Sequence, residues 1–151
     1  MTKVVNLAGA ALGPERDREG WRHRSLRVGD ELGASMIGGS VYELPAGERS
    51  FPFHYHHGVE EWLIVISGRP SMRTPDGVLE LDPWEAVCFP AGAEGAHKVT
   101  NRSDATARVG MLSTRNEPGV SVYPDSNKVG AWPPGKLFRL DDAVDYWDGE
   151  L

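Results

Sequence analysis

The stretch FPFHYHHGVEEWLIVISG, residues 51–68, decides how this chain is read. Alternate side chains of an extended strand point to the same side. His54 and His56 therefore share one face, and Tyr55 and His57 share the other. Two imidazoles at i and i+2 reach a common point, and imidazole suits first-row divalent ions. Gly58 breaks the strand. The next one opens on Glu60-Glu61, which brings a carboxylate beside the histidines. EWLIVIS, residues 61–67, is the clearest strand in the chain, dense in aromatic and β-branched residues. Glu61, Leu63 and Val65 share one of its faces; Glu60, Trp62, Ile64 and Ile66 share the other. Both faces are apolar, so both are expected to be covered, one by a barrel interior and the other by something else, for which a subunit interface is a natural candidate. A lone His-x-His in a strand is more often surface chemistry than a ligand pair. The following carboxylate and His97, beside the turn Pro90-Ala91-Gly92, shift the balance to a metal site. His57 is excluded by parity. His23, flanked by Trp21, Arg22 and Arg24, reads as a surface residue.

Outward from this stretch, short apolar runs alternate with turn residues. Strands are expected at 34–44, 53–57, 61–67, 71–74, 78–81, 86–89, 96–99 and 107–113. Gly38 and Gly39 weaken the first of these and suggest a bulge. Pro75-Asp76-Gly77 reads as a tight hairpin turn. Strands at this spacing, with no long helices between them, mean an all-β barrel or sandwich. Residues 1–33 read as an irregular arm packed on the barrel, with a short strand at an edge. Residues 34–114 form the barrel core. Residues 115–151 are a turn-rich tail of the same domain, with a last strand at 137–140 and a short helix capped by Asp141 and running to Trp147.

A chain of 151 residues suits one domain. Its one cysteine, Cys88, allows no internal disulfide and none of the multi-cysteine zinc patterns. A reducing cytoplasm suits such a protein. The formal net charge of −6 argues against a broad nucleic-acid surface. The group Arg16, Arg18, Arg22, Arg24 and Arg27 is the local exception; it reads as solvated surface or a subunit contact, with an anion-binding patch as the alternative. No run approaches the roughly 20 apolar residues of a membrane span, and the first residues lack signal-peptide order.

Two motifs resemble those of the cupin superfamily. The first family motif runs from Gly through five residues to His-x-His, three or four to Glu, and six to Gly. Here Gly47 is followed by six residues before His54, His56 by four before Glu61, and Glu61 by six before Gly68. The last spacing favours Glu61 over Glu60. The second motif runs from Gly through five residues to Pro-x-Gly, two to His, and three to Asn. Pro90-Ala91-Gly92 and the step from His97 to Asn101 match; the turn before His97 carries two extra residues, and Trp84 stands where the opening Gly belongs. The resemblance covers residues 35–113. It implies a cupin-type double-stranded β-barrel (jelly roll) with His54, His56, Glu61 and His97 as ligands to one divalent ion, whether Zn, Fe, Mn or Ni.

Three neutral imidazoles and one carboxylate leave a divalent ion a net charge of about +1, with two positions open if it is octahedral. Ser40, Tyr42, Arg73 and Cys88 are candidate substrate-pocket residues. The tail segment 123–134 reads as a loop packed on the outside or on a second subunit; folded over the barrel mouth instead, it would bring Lys128 near an anionic substrate. The expected function is that of a small metalloenzyme acting on a small molecule, by oxygen-dependent oxidation or metal-assisted isomerisation. The alternative is a non-catalytic cupin that binds or senses a small molecule. A homodimer is expected from the outward row Trp62, Ile64 and Ile66.

Overall fold

The structure is a computed structural model describing residues 1–151. In chain order its elements are β1 (Arg24–Leu26), a five-residue helix α1 (Val28–Leu32), β2 (Ile37–Leu44), β3 (Tyr55–His57), β4 (Glu61–Ser67), β5 (Ser71–Thr74), β6 (Gly77–Glu80), β7 (Ala86–Phe89), β8 (Lys98–Thr100), β9 (Ala107–Thr114), β10 (Gly119–Tyr123), β11 (Lys128–Trp132) and β12 (Lys136–Arg139). All strand pairs are antiparallel. One sheet has the order β1-β2-β9-β4-β7; opposite it lie β12-β11-β10-β3 and β6-β5-β8. A bridge between His54 and His97 joins the last two.

The core follows from the alternation of β4. Leu63 and Val65 point inward, fully buried, against Leu44, Met72, Leu81, Phe89, Val99 and Val109. The interior is thus filled by aliphatic side chains contributed by both sheets, as expected of a small barrel. The outward face of β4 is not left to a partner along its whole length. Ile66 is buried with Val28 and Val41 beneath Val5, Leu12 and Leu26 of the arm, while Trp62 remains partly exposed. The arm is tied down by Arg108, which is buried. Its guanidinium donates to Leu7 O, to Ala10 O and to the Glu43 carboxylate.

Several expectations are corrected. Gly38 and Gly39 form no bulge, for β2 pairs with β9 residue by residue from Ile37 to Leu44. Their bare backbones serve close approach: a Cβ on Gly38 would lie 2.8 Å from Ser113 Oγ, and one on Gly39 would crowd Leu112. The irregularity sits in β4 instead, between Val65 and Ser67. The tail supplies β10 and β11, which the turn-rich composition concealed. The helix from Asp141 to Trp147 does not form; a single 3-10 turn covers Leu140–Asp142. Val144, Tyr146 and Trp147 are all exposed, so no packed face pays for ordering a helix too short to stand alone. Asp141 accepts a hydrogen bond from Asn127 rather than capping a helix.

The two departures in the second motif acquire a physical account. The extra residues before His97 form a 3-10 turn, Ala93–Gly95, in which the Gly95 position lies so close to Pro90 O that a Cβ would fall 1.9 Å from it. Asn101, fully buried, donates to Leu44 O and Ala105 O and accepts from Ser103, tying the turn between β8 and β9 to the end of β2. Trp84 keeps the left-handed backbone that the glycine would supply, at φ 72°, with its amide donating to Val65 O. A non-glycine residue pays about 1–2 kcal/mol for that conformation. The Trp84 side chain is three-quarters exposed and recovers little through packing. Trp84→Gly is therefore expected to stabilise the protein by about 1 kcal/mol in urea unfolding, an unusual direction for a large-to-small change.

Candidate metal centre

Three stretches of extended chain aim the four side chains. His54 and His97 face each other across an antiparallel bridge, His54 N donating to His97 O and His97 N to His54 O. His56 lies two residues on, in β3, on the same face as His54. Glu61 opens β4, paired with Phe89 and Ser113 on either side. The result is convergence on one atom. Glu61 Oε2 lies 3.1 Å from His56 Nε2, 3.3 Å from His97 Nε2 and 3.9 Å from His54 Nε2.

The opposite ring nitrogens are all engaged. His54 Nδ1 is 2.8 Å from Pro52 O, and His97 Nδ1 is 2.9 Å from Gly95 O. A carbonyl can only accept, so both rings carry their proton on Nδ1 and turn the Nε2 lone pair toward Glu61. His56 Nδ1 meets Ser121 Oγ at 2.9 Å, and that hydroxyl also accepts from Trp132 Nε1. His97 is further fixed by stacking on Phe89, with ring centroids 3.7 Å apart. This is the arrangement in which outer hydrogen bonds orient metal-ligating imidazoles. Burial, followed by the neighbouring His97 and His56, pushes the His54 imidazole down to about 4, and burial likewise lowers that of His97. Both are neutral at pH 7. Burial pushes the Glu61 carboxyl up, but the surrounding imidazoles outweigh it and hold it below the usual carboxylate range.

Two buried side-chain polar atoms lack a hydrogen-bond partner, and they are Glu61 Oε2 and His97 Nε2. A buried lone pair left unsatisfied costs about 1–3 kcal/mol, more for a charged group. Both orphans point to the same spot. The ligand atoms of His54, His56 and Glu61 all lie within 4.8 Å of one another and so fit a divalent cation, and His97 Nε2, 3.3 Å from Glu61 Oε2, stands beside that group.

In front of this cluster opens a cavity of about 890 Å³. Ser40, Tyr42 and Lys128 line it together with His54, His56 and Glu61. Two other pocket candidates lie elsewhere. Arg73 forms a two-pronged ion pair with Asp125 and lies over the Phe53 ring, outside the cavity. Cys88 is exposed on the outer face of β7, cross-strand from Trp62, because inward positions there fall to Val87 and Phe89. His57 is exposed, as its parity requires. His23 is a correction: it is buried, packed edge-on to Tyr42 and tilted against Phe51. Residues absent from the sequence reading complete the site, namely Ser121, Tyr123, Trp132 and Phe51. Nothing in their spacing marks them, since Ser121, Tyr123 and Trp132 belong to strands hidden in the tail. Burial pushes the Tyr42 and Tyr123 phenols up, so both stay protonated at neutral pH and can donate.

No helix is long and apolar enough to cross a membrane. Among curated proteins no sequence matches this chain. Solved structures do. A sugar phosphate isomerase from a cupin superfamily, from Silicibacter pomeroyi, is 25% identical with a TM-score of 0.82, over 97% of this chain and 98% of that one. A protein provisionally named as a sugar phosphate isomerase, from Acidithiobacillus ferrooxidans, is 25% identical with a TM-score of 0.77, over 83% of this chain and 81% of that one. The polyketide cyclase RemF from Streptomyces resistomycificus shares the fold, with a TM-score of 0.59 at 22% identity over 79% of this chain and 84% of that one. The family pattern described as the cupin domain matches residues 40–114, which run from β2 through β9 and hold His54, His56, Glu61 and His97. With its antiparallel barrel, that match and those structural likenesses, this chain belongs to the cupin superfamily.

Proposed function

We propose that this protein is a metal-dependent isomerase of a small hydroxy-carbonyl compound of the sugar class, with His54, His56, Glu61 and His97 as the metal ligands. The observation that carries the reading is the pair of orphaned buried atoms, Glu61 Oε2 and His97 Nε2, 3.3 Å apart behind an open cavity that His54, His56 and Glu61 line. The name borne by the Silicibacter pomeroyi relative, similar over nearly the whole of both chains, supports isomerisation over oxidation.

The roles of the chain's own residues follow from their placement. A bound divalent ion supplies Lewis acidity toward a substrate carbonyl or hydroxyl. Tyr42 and Tyr123, protonated and facing the cavity, donate hydrogen bonds to substrate oxygens. Phe51, Trp132 and Leu137 form apolar wall that displaces water and confines a small polar molecule. Ser121 acts through His56: it holds the ring's outer nitrogen so that Nε2 keeps its aim.

Metal analysis tests the ligand set. The native protein, purified without chelators, is expected to hold one divalent ion per chain, and His54→Ala/His56→Ala to hold none. A native protein that stays empty after reconstitution with Zn, Fe, Mn and Ni in turn would sink the proposal. Ser121→Ala is expected to weaken metal affinity by about 10–100-fold while leaving the circular dichroism spectrum unchanged. Recovery in Ser121→Thr would separate a role for the hydroxyl from a packing defect. For the reaction, the metal-loaded protein is incubated with aldose–ketose pairs in heavy water and followed by NMR. Interconversion without oxygen uptake is expected; oxygen consumption coupled to substrate loss would replace isomerisation with oxidation.

A further inference from the structure

The chain has a net charge of −6, yet the cavity wall gathers five cations, Arg16, Arg18, Arg27, Arg115 and Lys128, against the carboxylates of Glu61 and Glu117. Two of the five share one carboxylate, for Arg27 and Arg115 both pair with Asp30. Arg16, Arg18 and Lys128 pair with no carboxylate. These three also line an adjoining cavity of about 360 Å³, so they stand where the two spaces meet. The acid in that second space, Asp125, is taken by Arg73.

Their placement is enforced by the fold. Lys128 opens β11, with its Nζ 5.6 Å from the Tyr123 ring centroid, and that ring stacks on His54 at 5.9 Å. Arg16 and Arg18 belong to a turn of the arm that is fastened at several points. Arg16 N donates to His23 O, and Trp21 N to Arg18 O. His23 is buried between Tyr42 and Phe51. Arg22 N donates to Glu48 Oε2, and Arg49 binds Gly20 O with both its amide and its guanidinium. Like charges gathered at the rim of one cavity repel one another, and an anion seated among them removes that cost.

We infer that Arg16, Arg18 and Lys128 form a subsite for the phosphate monoester of the substrate, whose sugar end reaches Glu61 and the three imidazoles. This rests on reading the cavity as the substrate site. Guanidinium forks match phosphate oxygens two at a time, the ammonium adds a point charge, and three cations suit a dianion better than a singly charged carboxylate.

The test is calorimetric titration with glycerol 3-phosphate as the probe and glycerol as the uncharged control. The proteins are metal-loaded wild type, chelator-stripped wild type, Arg16→Gln/Arg18→Gln, Lys128→Gln, and Arg24→Gln, whose arginine lies on the arm but lines neither cavity. Wild type is expected to bind glycerol 3-phosphate and not glycerol. Arg16→Gln/Arg18→Gln and Lys128→Gln should each weaken binding roughly tenfold or more, and Arg24→Gln should match wild type. The stripped protein should retain the phosphate affinity, because the subsite stands apart from the metal ligands. Absence of binding to wild type, an unchanged Kd in Arg16→Gln/Arg18→Gln, or loss of binding on stripping would each overturn the inference, the last by placing the phosphate on the metal. Metal content of the same samples is measured in parallel, so an empty native centre counts against the isomerase reading and an unresponsive Kd against the subsite.

Discussion

A cluster of three imidazoles and a carboxylate must be taken out of water without leaving any of them adrift, and the rest of the structure answers to that constraint. Burying polar groups is costly unless each atom is paired. The His54–His97 bridge sets two of the rings side by side, 4.7 Å between centroids and tilted by 50°, and the carbonyls of Pro52 and Gly95 claim their outer nitrogens. Those carbonyls lie two residues before their histidines, so the same local chain that delivers each ring also orients it. The 3-10 turn ahead of His97 and the bare backbone of Gly95 make that geometry possible.

The third ring is held differently. His56 has no local carbonyl on its outer nitrogen; Ser121 does the work from β10, and Trp132 in β11 steadies Ser121. The histidine–carboxylate cluster thus draws on strands beyond the 40–114 match to the cupin domain. The barrel's inner core fixes the depth of the cluster, with Phe89 contributing to the apolar packing and to the stack on His97. The outer cluster around Ile66 fixes the arm, and the arm in turn carries Arg16 and Arg18 to the cavity rim. A charge pattern at the mouth therefore depends on packing at the back of the sheet.

Much of this was readable from residues alone. Period-two alternation in residues 61–67 set Leu63 and Val65 on one face and Trp62, Ile64 and Ile66 on the other, because strand geometry allows no other grouping. The same rule placed His54 and His56 together and His57 apart. Where the chain had turn residues and few apolar runs, the rule had nothing to act on, and β10 and β11 went unseen. Cys88 and Arg73 were ambiguous for a related reason: a strand of four residues does not declare which of its faces is inside. His23 looked isolated because its partners, Tyr42 and Phe51, are 19 and 28 residues away.

The sequence by itself determined the barrel class, the strands around the histidines and the set of side chains able to meet a cation, since these follow from local periodicity and residue chemistry. Only the tertiary structure decided that those side chains converge on a single oxygen of Glu61. Only it decided which polar residues line the cavity, that Ser121 orients His56, and which of the arm's arginines face the mouth. Convergence is a property of register between strands distant in the chain, and charge pairing depends on which side chains the fold brings within reach. Neither is written in any one segment.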